Sequence, residues 1–486
     1  MQVLDQSLTP LFDAVKKYIS DNVTAFHVPG HKHGRGIHEL TDFLGEPALN
    51  MDVNGMDDLD YYNNPTGVIQ EAQNLLADAF GAKHAFFLVN GTSGGIQAMI
   101  MSVCKPGDKI IVPRNVHKSI VNGMILGGVN PVYIQPEIDE KLGIANGVTA
   151  REVEKAILSN PEAKAVFLIN PTYYGVTSDL KTIVDITHKH NMLMLVDEAH
   201  GTHMYFHEDF PSTAIESGAD MCAISMHKTG GSLTQSSALM IGGDRINPES
   251  VKWALNLLST SSSSYLLMCS LDVARKQLAI NGHKLLSDTL YLARWARKEI
   301  NKIDGFYSFG KEMIGQQGCF DFDETKLGIN VRSLGYTGYE MEKKLRKEYN
   351  IQIELADLNN VLAIVSLGDR MEDLSILVDS LKDIASKSDI KTYNSLKPPP
   401  KYPNSVICPR DAFYMNKKLT KLIDSEGQLS GETIITYPPG IPIVCAGELI
   451  TKEIIEYLTV LKSEECHLQG VTDASLDYVK VLDIDS

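Results

Sequence analysis

The sequence predicts an α/β fold in which a mostly parallel central sheet is covered by helices on both faces. Between about residues 68 and 243, short apolar runs alternate with stretches of helical periodicity. Apolar strands separated by helices are typical of βαβ units, because a parallel sheet is buried on both of its faces. At 486 residues the chain is too long for one simple core, so we expect two or three domains.

The predicted elements follow one another in this alternation. Apolar residues recur at helical spacing and predict helices in residues 11–19, 68–80, 93–104 and 338–350. Uninterrupted apolar runs predict strands in residues 84–90, 109–113, 131–136, 165–170, 192–200, 221–228, 236–243 and 360–368. In such sheets ligands bind at the carboxyl ends of the strands, so the residues that follow each strand are the candidates for function.

Three domains are predicted. Residues 1–295, with an N-terminal arm, form the large domain that contains the parallel sheet, and residues 296–396 form a smaller α+β domain. A proline-rich spacer, "KPPPKYPNS" (397–405), predicts an extended linker. Residues 397–486 therefore include a further C-terminal domain.

The composition indicates a soluble cytoplasmic protein. The net charge of −16 argues against binding to nucleic acid, because a phosphate backbone would be repelled. An acidic surface suits a cationic substrate, but it equally suits plain solubility. Seven scattered cysteines without a C-x-x-C pair are typical of reduced thiols. The first 22 residues lack the pattern of a signal peptide, and no apolar run is long enough to span a membrane.

Two segments after predicted strands have features of a ligand site. "NGTSGG" (90–95) follows a strand and opens a helix, where backbone N–H groups and the helix dipole favour an anion. "RNVHKS" (114–119) places His117 after the next strand. Considered separately, a glycine turn used for packing and a structural histidine explain these segments equally well.

Asp197 follows four apolar residues at the end of a predicted buried strand. An ionised carboxylate in that position needs a cationic partner. A metal site shared with Glu198, His200 and His203 is the first alternative. These side chains straddle the end of a strand instead of sharing one helix face, so the sequence predicts no metal site.

Lys228 lies in "SMHKTGGSLTQSS" (225–237), again after a predicted strand. A lysine in a partly dry pocket loses its proton more readily and becomes a nucleophile able to form a Schiff base. The strand ends thus supply an anion-binding helix start, a carboxylate, a histidine ring and an amine. Pyridoxal phosphate requires that set for its phosphate, its pyridine nitrogen, its ring face and its aldehyde.

The sequence motifs resemble those of the fold-type-I pyridoxal-phosphate enzymes, and more narrowly those of the bacterial ornithine/lysine/arginine decarboxylase family. The compact, Bacillus-type biosynthetic arginine decarboxylases of that family are the most similar form. Ten motifs occur in the family's order: "FHVPGHKHGRG" (26–36), "FFLVNGTSGG" (86–95), "PRNVHKSI" (113–120), "INPTYYGV" (169–176), "VDEAHG" (196–201), "SMHKTGGSLTQSS" (225–237), "TSSSSYLL" (260–267), "SLDVARK" (270–276), "PRDAFY" (409–414) and "YPPGIPIVCAGE" (437–448). The resemblance implies a fold-type-I transferase-like domain, a pyridoxal 5'-phosphate cofactor and smaller α+β domains after it.

Roles for individual residues follow from the same resemblance. Lys228 is expected to bind the cofactor's aldehyde, Asp197 to pair with its pyridine nitrogen, and His117 to stack on its ring. His200 is expected beside cofactor and substrate, and either it or Lys228 returns the proton to the product. The phosphate is expected to contact Thr92, Ser93, Gly94, Ser225 and His227.

Two further motifs imply a shared active site and a substrate contact. The resemblance places Thr260 and Ser261 at the phosphate of a neighbouring subunit, which makes a homodimer or a higher homo-oligomer the active form. Glu448 corresponds to a position where the distal amine or guanidinium of the substrate would be bound. The family usually has proline where this chain has Ala446, so the turn before Glu448 departs from the pattern.

The predicted function is therefore decarboxylation of a basic L-amino acid, foremost arginine to agmatine in polyamine biosynthesis. Lysine, which would give cadaverine, and ornithine are the alternatives within the same chemistry. An aminotransferase or another lyase of this fold remains a different class, with Arg332 as a candidate to bind the substrate carboxylate. A regulatory homologue without activity is the non-enzymatic alternative, and the presence of Lys228, Asp197 and His117 together argues against it.

Overall fold

The computed structural model describes residues 4–389, 405–436, 441–464, 466 and 468–484. The helices in these residues are α1 (Pro10–Ser20), α2 (His38–Leu44), α3 (Glu46–Asn50), α4 (Val68–Ala79), α5 (Gly91–Val103), α6 (Lys118–Gly127), α7 (Ala150–Ser159), α8 (Leu180–Lys189), α9 (Met226–Thr229), α10 (Pro248–Leu258), α11 (Tyr265–Ile300), α12 (Gly338–Glu348), α13 (Met371–Ser386), α14 (Pro409–Tyr414) and α15 (Lys452–Ser463). Short 3-10 helices span Asp57–Leu59, Thr202–Phe206, Lys311–Met313, Arg332–Leu334 and Leu422–Asp424. The predicted linker at 397–405 lies, except for its last residue, outside the described residues.

The strands are short and most of them are buried. In chain order they are β1 (His84–Leu88), β2 (Lys109–Pro113), β3 (Asn130–Ile134), β4 (Ile138–Asp139), β5 (Ile144–Ala145), β6 (Ala165–Ile169), β7 (Val176–Thr177), β8 (Leu193–Asp197), β9 (Met221–Ile224), β10 (Ser237–Ile241), β11 (Tyr307–Ser308), β12 (Asp321–Phe322), β13 (Lys326–Asn330), β14 (Leu355–Ala356), β15 (Asn360–Ile364), β16 (Lys417–Lys421), β17 (Ile434–Thr436), β18 (Ile441–Val444), β19 (Leu468–Gln469) and β20 (Tyr478–Leu482).

The predicted α/β fold with a central, mostly parallel sheet is confirmed. The chain forms two compact units: Met1–Ser102 with Leu195–Glu208 and Ser212–Leu286, and Val103–Met194 with Asp209–Pro211 and Ser287–Ser486. In the first unit the strands of the central sheet follow the order β1-β10-β9-β8, and in the second β6-β2-β3. The pairs β8–β9, β2–β6 and β2–β3 are parallel, whereas β10 runs antiparallel to both of its neighbours.

Several predicted strands are shorter than expected, and two of these differences affect the site. The strand predicted for 192–200 ends at Asp197, and the strand predicted for 221–228 ends at Ile224. The backbone leaves the sheet where the buried apolar residues stop. Lys228 consequently lies in the helical turn α9, where its backbone N–H donates to the Ser225 carbonyl at 3.1 Å.

Strand register in the first unit brings polar residues to one edge of the sheet. Ser237, the first residue of β10, lies opposite Leu88 at the carboxyl end of β1. Asp197, the last residue of β8, pairs in register with Ala223 of β9. Because β10 is antiparallel, its beginning meets the ends of its neighbours, and Ser237 joins the residues that follow those strands.

Helix α5 begins at a glycine whose conformation is required. Gly91 has a φ of +66°, in the left-handed region that side chains other than hydrogen rarely tolerate. Its N–H donates to the Gln235 carbonyl at 2.9 Å, so the start of α5 is attached to the segment before β10. This turn directs the N-terminus of a 13-residue helix toward the edge described above.

A buried arginine connects α11 to the N-terminal segment within the first unit. Arg275 is fully buried and pairs with Asp272 at 2.7 Å. Its guanidinium also donates to the carbonyls of Gln6 and Leu8 at 2.7 and 2.6 Å. Asp272 in turn accepts the N–H of Leu11 at 3.1 Å, which satisfies a donor in the first turn of α1.

The second unit contains the smaller α+β structures that the sequence predicts. Strands β11-β13-β15-β14 form an antiparallel sheet, and α12 and α13 contribute Met341, Leu345, Leu377 and Leu381 to the core beside it. Strands β18-β17-β19 and the pair β16–β20 belong to the C-terminal part. The three domains proposed from the sequence, with boundaries after residues 295 and 396, stay a prediction. In the described part of the chain, no helix combines the length and apolar character needed to cross a bilayer.

Candidate active site

The candidate site is centred on a contact between a lysine and a histidine. The Lys228 Nζ lies 2.9 Å from the His200 Nε2, within hydrogen-bond distance. His200 is 2% exposed and follows the end of β8, whereas Lys228 is half-buried in α9. An imidazole that faces an amine at this distance can accept its proton, so the pair can move a proton at the Lys228 Nζ.

Asp197 supplies a buried carboxylate in the same unit. It is 2% exposed, and its Oδ1 accepts the Ala199 N–H at 3.1 Å. Burial raises the pKa of Asp197 to about 6, although the nearby Lys228 cation and the Ala199 N–H lower it in part. A buried carboxylate of this kind gains stability from a cationic partner, as the sequence predicted for this position.

Three hydroxyl groups converge beside the N-terminus of α5. The Thr92 Oγ1 lies 2.5 Å from the Ser225 Oγ and donates to the Ser237 Oγ at 3.1 Å. All three side chains are buried. Hydroxyls and a helix N-terminus together favour an anion, so this cluster fits a phosphate group.

Other residues predicted for the phosphate lie around this cluster. The His227 Nδ1 lies 2.9 Å from the Ser236 carbonyl, and that contact orients its ring. Gly94 is buried in α5, and a Cβ at that position would contact Asn90 at 3.5 Å. Ser93 is exposed. The roles of these residues stay predictions.

Sequence reasoning did not assign Ser237 and Glu198 to the cofactor site. Ser237 begins a strand whose other residues are apolar and buried. A single hydroxyl in such a strand is the sequence feature that could have indicated a role for Ser237. Glu198 was considered only as a metal ligand. It is fully buried, accepts the Ala214 N–H at 2.7 Å and receives a hydrogen bond from the Tyr205 hydroxyl. Burial raises the pKa of Glu198 to about 8, against the smaller opposing effect of Tyr205.

The raised pKa of Glu198 predicts a loss of stability in alkali. Its folded pKa exceeds the ordinary value of 4.5, so its favourable effect is complete below pH 4.5 and is lost as pH rises toward 8. At about 1.4 kcal/mol per pH unit, the loss between pH 5 and 8 is about 4 kcal/mol at most. We expect Glu198→Gln to reduce the fall in the urea midpoint over this range. Glu71→Gln, at an exposed position, is the control, and equal pH profiles for Glu198→Gln and wild type would contradict the prediction.

The roles of three further predicted site residues stay predictions. His117, in the second unit, precedes α6, and its Nδ1 accepts the Ser119 N–H at 3.2 Å. Thr260 and Ser261 are exposed between α10 and α11.

Glu448 was predicted to read the distal end of the substrate, but the structure gives it another partner. Both of its carboxylate oxygens accept from Arg114, at 3.0 Å from Nε and 2.7 Å from Nη2. The Cys445 N–H also donates to Oε2, at 2.6 Å. Glu448 and Arg114 are each 1% exposed. The carboxylate is thus engaged in a bidentate ion pair within the second unit, which favours a structural role.

The metal alternatives raised by the sequence find no support among the described residues. Within these ranges, one set of three or more histidine, cysteine or acidic side chains brings its ligand atoms within 4.8 Å of one another. It consists of His207, Glu208 and His283. It therefore contains none of Asp197, Glu198, His200 and His203, for which the sequence analysis raised a metal site.

Comparisons with known proteins identify the family. The model of the Orn/Lys/Arg decarboxylase major domain matches residues 9–330, and that of the C-terminal domain of the same family matches residues 398–474. The chain belongs to the Orn/Lys/Arg decarboxylase family. It is 45% identical over 483 residues to the arginine decarboxylase of Bacillus subtilis (strain 168), covering 99% of both chains. It is also 45% identical over 486 residues to the arginine decarboxylase of Halalkalibacterium halodurans, covering 98% of both.

Solved structures confirm the fold. The chain superposes on the lysine decarboxylase LdcF of Francisella novicida with a TM-score of 0.85 and 23% identity, covering 98% of this chain and 81% of that one. The predicted family, enzyme class and fold-type-I architecture are thus confirmed. The chain is a decarboxylase of the pyridoxal-phosphate-dependent type.

The residues of the first unit fit that cofactor. A phosphate fits the hydroxyls of Thr92, Ser225 and Ser237 at the start of α5. A buried acceptor is present in Asp197, and an amine within reach of a proton acceptor is present in Lys228. An anion site, a buried carboxylate and a lysine are the donor set that this cofactor needs.

Proposed function

We propose that the chain converts L-arginine to agmatine and carbon dioxide. The observation that supports it most is the Lys228–His200 contact in a chain 45% identical, from end to end, to proteins named arginine decarboxylase. The lysine decarboxylase that shares the fold is only 23% identical. Arginine is therefore the first candidate substrate, ahead of lysine and ornithine.

In this proposal, different side chains bind the cofactor, orient it and transfer the proton. Bound pyridoxal phosphate supplies the electron sink that accepts the electrons released when the substrate carboxylate departs as carbon dioxide. Thr92, Ser225 and Ser237 would hold the phosphate, and Asp197 would keep a proton on the pyridine nitrogen. Lys228 would hold the cofactor's aldehyde in the resting enzyme. Once the substrate amine has displaced it, the freed Lys228 Nζ, which lies 2.9 Å from the His200 Nε2, would return a proton to the product carbon.

The active form and its location belong to the same proposal. The loop of Thr260 and Ser261 is exposed, as expected if it reaches the phosphate of a second copy in a homodimer or larger homo-oligomer. On α10, Trp253 and Leu257 are 70% and 74% exposed, which a partner subunit would cover. We place the enzyme in the cytoplasm, in agreement with the free state of all seven cysteines.

Product identity tests the proposed substrate. The purified chain, with added pyridoxal phosphate, is offered arginine, lysine and ornithine separately, and the amine product is identified by mass spectrometry. Agmatine as the main product is the expected result. Cadaverine or putrescine as the main product would overturn the assignment to arginine while leaving the family intact.

Asp197→Ala is expected to keep the fold and to lose most turnover. Without the carboxylate, nothing in the chain is assigned to keep the pyridine nitrogen protonated, and the electron sink weakens. Loss of such a charge partner typically lowers kcat by about 10²–10³-fold. Steady-state kinetics at saturating cofactor, with circular dichroism as the folding control, measure the effect. A kcat within threefold of wild type would contradict this role.

A further inference from the structure

Two histidines and a glutamate converge on the surface of the first unit, apart from the residues assigned to the cofactor. His207 and Glu208 follow the 3-10 helix Thr202–Phe206, and His283 projects from α11. The His283 Nε2 lies 3.1 Å from the Glu208 Oε2, and the His207 Nδ1 lies 4.0 Å from the same oxygen. One nitrogen from each ring and one carboxylate oxygen lie within 4.8 Å of one another.

The imidazole rings of His207 and His283 pack against each other, although the two residues are 76 positions apart in the sequence. Their centroids are 4.5 Å apart, with 21° between the ring planes, so the imidazoles are stacked. The stack lies beside the Glu208 carboxylate, so two imidazoles and one carboxylate face the same small volume. Imidazole nitrogen is the commonest metal ligand in proteins.

We propose that His207, Glu208 and His283 form a binding site for a zinc-like divalent transition metal. Two imidazole nitrogens and one carboxylate oxygen are a donor set that Zn²⁺ accepts, with water in the fourth position. Bond lengths of about 2.0–2.1 Å in a tetrahedron require ligand atoms about 3.4 Å apart. The glutamate–His283 distance already approaches that value, and the side chains of Glu208 and His283, 74% and 66% exposed, have room to adjust.

Metal binding replaces a proton at this site. The His283 Nε2 is within hydrogen-bond distance of both Glu208 oxygens, at 3.3 Å from Oε1. Coordination by that nitrogen requires its proton to leave or to move to Nδ1. A metal ion and a proton therefore compete for this nitrogen.

The site joins two segments that are relevant to catalysis. His207 and Glu208 end the stretch that begins with Asp197 and His200, and His283 lies in the helix that follows Thr260 and Ser261. A bound ion adds a link between this stretch and α11. Because the ion binds the folded state preferentially, it raises the unfolding temperature of the holoenzyme.

Calorimetric titration of the holoenzyme with Zn²⁺ at pH 7.5 tests the proposal. We expect an equivalent of bound Zn²⁺ in wild type whose affinity falls at least about tenfold in His283→Ala and in Glu208→Gln. His38→Ala, which removes an exposed histidine outside the cluster, is the matched control and should bind as wild type does. The same ion should raise the wild-type unfolding temperature and leave that of His283→Ala nearly unchanged.

Two outcomes would overturn the site. One is a wild-type titration without Zn²⁺ binding, and the other is binding that His283→Ala and Glu208→Gln leave unaltered. Unfolding curves in chelator distinguish loss of a ligand from loss of the fold, because the variants and wild type should then unfold at similar temperatures. None of these readouts depends on which amino acid the enzyme decarboxylates.

Discussion

Replacing Lys228 with alanine is expected to lower kcat for arginine by at least about a thousandfold. The proposed function assigns the lysine amine to the cofactor's aldehyde and assigns proton transfer at the product carbon to the pair that it forms with His200 at 2.9 Å. Alanine removes both functions. The measurement is the rate of agmatine formation at saturating arginine and cofactor.

The control for this prediction is Lys83→Ala. Lys83 also belongs to the first unit, but its side chain is 42% exposed and forms an ion pair with Asp244 at the surface. Its loss should leave kcat within about twofold of wild type, since exposed pairs contribute little. If Lys228→Ala were folded and retained a tenth of the wild-type rate, the assignment of Lys228 would be wrong.

Replacing Glu448 with alanine is expected to destabilise the second unit by about 3–5 kcal/mol. The substitution leaves the guanidinium of Arg114 buried without its counterion, and removes the acceptor for the Cys445 N–H. Arg114 would retain the carbonyl of Pro442 as an acceptor, at 2.9 Å, but no negative charge from Glu448. The midpoint of urea unfolding, followed by circular dichroism, measures the loss.

A paired replacement separates this role from substrate binding. Arg114→Met combined with Glu448→Leu removes both charges together, and we expect it to recover most of the stability that Glu448→Ala loses, because apolar pairs often replace buried ion pairs at little cost. If Glu448 instead bound the substrate, its replacement would have a different effect. In that case Glu448→Ala would keep the wild-type midpoint and raise the KM for arginine.

Local hydrophobic pattern predicted the elements of the central sheet but not their orientation. β2 spans the residues that its apolar run predicted, 109–113, because every residue of that run is buried or half-buried. Neither the antiparallel direction of β10 nor the end of β9 at Ile224 is visible in periodicity. Direction is decided by partners distant in sequence, and a strand ends where its pairing ends.

In the candidate site, too, the features that depend on adjacent residues were predictable and the contacts between distant residues were not. Asp197 was predictable as a buried carboxylate, because the apolar residues before it are adjacent in sequence. The contact of Lys228 with His200, and that of Thr92 with Ser225, join residues 28 and 133 positions apart, and family motifs were needed to bring them together. Arg114 lies 334 positions before Glu448, so no local pattern predicts that pair. The substrate contact of Glu448 came from the family resemblance and stays a prediction.

The burial of Arg275 has a practical consequence for anyone who shortens this chain. Its guanidinium donates to the carbonyls of Gln6 and Leu8. Removal of those residues would leave Arg275 buried with Asp272 as its partner but without these two acceptors, and unsatisfied buried donors destabilise a fold. A tag or a cleavage site should therefore not replace the segment that contains Gln6 and Leu8. For expression trials and for directed evolution, Gln6 and Leu8 should be kept although Leu8 is exposed, because their backbone carbonyls satisfy a buried charge.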